Sequence, residues 1–174
     1  HYTSCQISLT LPTLATLPIQ IIASTRNKGI AILMSIYFVL QILIPWHYLL
    51  YPGNMFWTEQ GYRWGWRVML MEKAAYCTFH VKDEVSNRRG EVINSQYLTK
   101  TQEKVMAPQP DMILQYVHYL EKIFREQGMH DPKIYAECYV TLNGRPSRLL
   151  IDPNVDLSKE RAGFAHKTWI LPFE

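Results

Sequence analysis

Residues 29–50 read GIAILMSIYFVLQILIPWHYLL, a run with no formal charge and one strongly polar interior residue, Gln41. As a helix these residues rise roughly 33 Å, close to the thickness of a bilayer's hydrocarbon core. Pro45 falls where such a helix reaches the far interface, and Trp46, Tyr48 and Tyr51 cluster there as an aromatic belt does. The pattern predicts a transmembrane helix over 29–50. A globular core helix ended early by Pro45 is the bland alternative.

Charge on either side of this run divides the chain in two. Only Arg26 and Lys28 are charged within residues 1–50, whereas all 15 acids and 16 of the 18 bases lie in 51–174. The two bases precede the apolar run and no other follows until Arg63. The positive-inside rule therefore puts residues 1–28 toward the cytoplasm and 51–174 outside it. Residues 5–24 are also uncharged, but Pro12 and Pro18 interrupt any regular helix, so a broken membrane segment or an extended arm is expected there. The near balance of charge in 51–174 excludes a nucleic-acid partner.

From Tyr51 onward the pattern turns to short β-branched and aromatic runs. Strands are expected at 67–71, 76–82, 91–94, 134–142, 148–151 and 168–171. The clearest alternation puts Ile134, Ala136, Cys138, Val140 and Leu142 on one face and Tyr135, Glu137, Tyr139 and Thr141 on the other. Asn143-Gly144 then signals a type I′ turn. One helix interrupts the strands: after Pro110, with Asp111 as its expected cap, Ile113, Tyr116, Val117, Leu120 and Phe124 recur at helical spacing until Gly128. The fold class is α+β, a membrane-spanning N-terminal segment (1–50) followed by a mainly antiparallel, sandwich-like β domain with one amphipathic helix (51–174).

Cys5, Cys77 and Cys138 are an odd number without CxxC spacing, so no zinc site is expected. Buried free thiols are the expectation, with a Cys77–Cys138 bond open if the domain sits in an oxidising compartment. The six histidines show no metal-ligand spacing, and Asp152 and Asp156 read as a capping turn before a calcium site.

The passage LIPWHYLLYPGNMFWTEQGYRWGWRVMLMEKAAYCTFHVKD (43–83) carries a resemblance. So do the later motifs Pro-Lys-Ile-Tyr-Ala-Glu, Leu-Asn-Gly-Arg, Leu-Ile-Asp-Pro-Asn-Val-Asp-Leu and Trp-Ile-Leu-Pro. In order and spacing, residues 30–174 resemble the C-terminal portion of vitamin K-dependent γ-glutamyl carboxylases, and in style their bacterial relatives with a horizontally transferred transmembrane domain. The resemblance implies a bacterial inner-membrane protein, carboxylase-like (a carbon–carbon lyase) at full length. It would use vitamin K hydroquinone or another quinol, O2 and CO2 to carboxylate peptide glutamate. The family's initiating Lys lies in upstream membrane helices, so no catalytic residue is carried over and this chain alone is expected to be inactive. The implied partners are membrane lipid, those upstream helices and a Glu-containing peptide.

The family's glutamate-presenting segment matches residues 62–73. Tyr62, Trp64 and Trp66 would wall an apolar slot, and Arg63 or Arg67, with Lys73, would bind the substrate carboxylate. The same residues read equally well as an amphipathic collar where the domain meets the bilayer. Glu72-Lys73 alone reads as a solvent-facing pair at a strand end. The chain departs from the animal enzymes at Met71 and Lys73, where those carry His and Arg, so a thioether replaces a proton-handling group. His47, at the membrane exit, is the quinone-proximal candidate. The competing function is a non-catalytic, membrane-tethered β-sandwich that binds a protein or sugar.

Overall fold

The structure, a computed structural model, describes residues 25–67, 69–85 and 87–173, with side chains omitted at 25 and 26. The expectations for residues 5–24 lie outside the described residues. The chain divides into two compact units, 1–39 and 40–174.

Helix α1 spans Thr25–Leu43, and a 3₁₀ helix, Ile44–Leu50, continues it. Pro45 lacks the amide needed to carry the α-helical ladder onward, which accounts for the change of winding. From Asn27 to Leu40 every side chain is exposed although nearly all are apolar. The stretch Asn27–Leu50 is long and apolar enough to cross a membrane.

The second unit is built on four antiparallel strands in the order β2-β1-β3-β4. These are β1 (Lys73–Asp83), β2 (Arg88–Val92), β3 (Pro132–Leu142) and β4 (Arg148–Leu149). Strands β1 and β3 pair along their full length, from Lys73 opposite Leu142 to Asp83 opposite Pro132. The expected alternation of β3 is observed: Ile134, Ala136, Cys138, Val140 and Leu142 are buried beside Cys77, Phe79 and Val81 of β1. Asn143 and Gly144 both take positive φ, as a type I′ turn requires, and Arg145 N–H closes the turn on Leu142 O.

Helix α2 (Met55–Thr58) precedes the sheet, and α3 (Lys100–Met106) and α4 (Pro110–Glu126) fall between β2 and β3. In α4, Ile113, Leu114, Tyr116, Val117, Leu120 and Phe124 are buried, giving the periodic face expected of it. Pro110 occupies the first turn and Gln109 the cap position, so Asp111 lies one place inside the helix rather than capping it. Gly128, at φ +88°, takes the left-handed position just past the end. The layer over the inner sheet face is helical, so the α+β domain is a sheet packed on helices where strand counting left a sandwich open. Helix α3 joins the one helix expected here, and Thr99 with Gln102 forms its capping box.

Further expectations are corrected. The strand expected at 168–171 is reduced to a single antiparallel bridge, Ile170 to Ile151. Among the described residues of the stretch 67–71 none is in a strand, because Trp66 and Met69 adopt left-handed φ values of 51° and 57°, which turn the chain instead of extending it. Cys77 and Cys138 are not free thiols but a disulfide across β1 and β3. The Cys77 carbonyl accepts from Asn94 Nδ2, and the Cys138 carbonyl from Leu150 N–H. Both backbones thus hydrogen-bond away from each other, and the pair occupies a non-hydrogen-bonded site, where side chains on neighbouring strands approach most closely.

Candidate functional site

A cleft of about 540 Å³ opens in the second unit between four segments remote in sequence. His47 and Tyr51 come from the end of the 3₁₀ helix. Glu59, Gln60, Gly61, Arg63 and Trp64 come from the loop after α2, and Asp111, Gln115 and His118 from the first turns of α4. Ala162 to Ala165 and Lys167 close it from the C-terminal loop.

Hydrogen bonds stitch these segments together. The Tyr51 hydroxyl donates to Phe164 O at 2.8 Å, and His166 Nδ1 donates to Gln60 Oε1 at 2.9 Å. His118 Nε2 donates to Glu160 O at 2.9 Å, and Lys167 pairs with Asp111. Gln60 is buried, and its Nε2 has no partner among the described residues. Exchanging amide oxygen and nitrogen would orphan the other atom instead. Arg63 reaches the cleft exposed and outside every ion pair found among the described residues.

The segment expected to bind substrate is divided by this arrangement. Arg63 and Trp64 line the cleft, but Trp66 and Arg67 do not. The Arg67 guanidinium lies 4.3 Å from the centre of the Tyr48 ring and 6.0 Å from that of Phe56, and Tyr62 meets Phe56 edge to face. These contacts hold the loop to the 3₁₀ helix. Gly61 makes the approach possible. It takes φ +71°, and a Cβ placed there would sit 2.5 Å from Tyr48 Cα. Gly61→Ala should therefore push the loop off Tyr48. The expected readout is a loss of protection from proteolysis at Arg63 and Arg67, and unchanged cleavage would count against this packing.

Lys73 is placed differently from its expected solvent-facing position. It starts β1 on the inner face, two residue pairs from Cys77, and its side chain is 4% exposed. Its ammonium donates to Glu59 Oε1 and to Trp57 O, both at 2.8 Å, and more distantly to Pro108 O. Burial pulls its pKa below the ordinary 10.5, against the opposing pull of Glu59. It braces the loop from behind and does not reach the cleft wall.

His47 lines the cleft, with Nδ1 donating to Ile44 O at 2.6 Å. The walls around it mix polar groups (Gln60, Asp111, Gln115, His118 and Lys167) with aromatic and small apolar ones (Tyr51, Trp64, Phe164, Ala162 and Ala165). Asp152 and Asp156 form the capping turns expected of them: Asp152 accepts from Asn154 N–H and Asp156 from Ser158 N–H. No group of three or more metal-ligating side chains occurs among the described residues.

Sequence reasoning missed Gln60, His118, His166 and Lys167. They come from three segments, the loop after α2, helix α4 and the C-terminal loop, and no local spacing joins the three.

No solved structure matches the chain. The family model for the vitamin K-dependent gamma-carboxylase lumenal domain matches residues 26–174, from the apolar helix through the sheet to the C-terminal loop that closes the cleft. The chain belongs to that family.

Proposed function

We propose that residues 51–174 form the extracytoplasmic, substrate-holding domain of a carboxylase-like protein of the bacterial inner membrane, with the glutamyl side chain of a peptide bound in the cleft beside Arg63. The family match over residues 26–174 carries this reading. The cleft chemistry supports it, since an exposed guanidinium suits a carboxylate. The Cys77–Cys138 bond supports an oxidising compartment.

In this reading Arg63 grips the carboxylate, Trp64 and Tyr51 shield it from water, and Arg67 and Lys73 hold the loop that carries Arg63. Vitamin K hydroquinone or another quinol, with O2 and CO2, supplies the base strength and the carbon unit in the full-length protein. The resemblance places the start of the quinol's chemistry with upstream membrane helices. The departure at Lys73 falls on a bracing residue, which separates it from substrate contact.

The test is the Michaelis constant for a glutamyl peptide, measured in membranes carrying the full-length protein at matched expression. Arg63→Gln should raise it about tenfold, the loss of one charge-assisted hydrogen bond. Arg67→Lys, which keeps a cation over Tyr48, should change it less. Equal constants for the parent and Arg63→Gln, at equal turnover, would sink the assignment of Arg63, and absence of any turnover in the parent would favour a non-catalytic binding domain.

A further inference from the structure

The loop between the cleft and β1 carries large apolar side chains that nothing in the fold covers. Trp66 is 72% exposed, Met69 94%, and Leu70 more than half. Trp64, Trp66 and Met69 all hold left-handed φ values, at 72°, 51° and 57°. For residues other than Gly this backbone is costly, and here it turns bulky apolar groups outward.

Two further observations say what meets them. The loop is pinned to the last turns of the candidate membrane span, through Arg67 over the Tyr48 ring and Gly61 against Tyr48 Cα. Those turns expose Trp46, Leu49 and Leu50 in their own right, Leu50 at 81%. Charge points the same way: residues 61–71 contain Arg63 and Arg67 and no acid. Indole rings and aliphatic tips flanked by arginines match the headgroup boundary of a bilayer with anionic lipid.

We propose that the 66–70 loop is a second membrane contact, its Trp66, Met69 and Leu70 side chains entering the lipid interface beside the end of the span. The contact fixes the height of the domain over the bilayer independently of the single helix. The inference rests on the span being membrane-inserted and not on what occupies the cleft.

An environment-sensitive fluorophore on Met69→Cys tests it, in a Cys5→Ser background of the full chain reconstituted into phosphatidylcholine–phosphatidylglycerol vesicles. Val85→Cys is the control, an exposed site beyond the far end of β1, about 33 Å along the strand. The Met69 probe should shift to the blue, lose quenching by aqueous iodide and be quenched by lipids carrying a nitroxide near the headgroup. The Val85 probe should remain open to iodide.

Iodide quenching of Met69 equal to that of Val85 overturns the proposal. So does a blue shift that grows with protein density at fixed lipid, which would mean a second copy covers the loop. A shift that appears only when a glutamyl peptide is added would assign the loop to substrate and likewise overturn it.

Discussion

Replacing Cys77 and Cys138 together with alanine should lower the unfolding free energy of the domain by about 4 kcal/mol. The two residues are 61 apart in sequence, and releasing a loop of that size restores conformational entropy to the unfolded chain on that scale. The segment released contains β2, α3 and α4, so its ends are otherwise joined only by strand pairing and core packing. Both cysteines are buried on the inner sheet face, so the double variant also leaves space beside Phe79 and Ala136. Urea unfolding in detergent, followed through the buried Trp57 and Trp169, measures the difference. Reductant should destabilise the parent and leave the double variant unmoved. Equal midpoints for parent and variant under oxidising conditions would show that the bond does not constrain the native fold.

Lys73→Met is expected to cost about 3–5 kcal/mol, because it strips the partner from the largely buried Glu59 carboxylate and also leaves Trp57 O without its donor. Adding Glu59→Gln to Lys73→Met should recover much of that loss, since the stranded charge is then gone. A pH series separates this from simple loss of packing. Burial gives Lys73 a lower pKa in the folded protein than in the unfolded chain, so the unfolded chain holds the proton to higher pH. The Lys73 contribution therefore increases stability as pH climbs through the folded-state value, and it levels off above the ordinary 10.5. The parent should show this rise relative to Lys73→Met in matched denaturant titrations. Parallel curves for the two would mean that Lys73 titrates alike in both states.

The sheet was legible in the sequence wherever one face is buried along a whole strand. Ile134 to Leu142 alternates strictly because β3 lies in the middle of the sheet and packs one face on α4. The same period, continued back from Cys77 through Ala75, reaches Lys73, so its inward position was readable once the start of β1 was known. Helix α3 was missed, although Thr99 and Gln102 stand at the spacing of a capping box. The strand expected at 67–71 was misread because bulky apolar residues favour strands by propensity, whereas Gly61 and Arg67 pack this loop on Tyr48. The cleft was only half legible. Arg63, Trp64 and His47 belong to the stretch that carries the family resemblance, but Gln60, His118 and Lys167 meet only through the tertiary fold.

The outer strands limit how a peptide can be received. Strand β2 forms one edge and exposes Arg88, Arg89, Gly90 and Glu91, a row of charge that disfavours pairing with another backbone. At the other edge β4 has two residues, and the chain beyond it is already engaged by the C-terminal segment, through Leu171 N–H to Leu150 O and Asp152 N–H to Trp169 O. Neither margin offers a free ladder for β-augmentation, the mode in which main-chain hydrogen bonds supply affinity and sequence matters little. A peptide bound as proposed would be held through its side chains, one residue at a time.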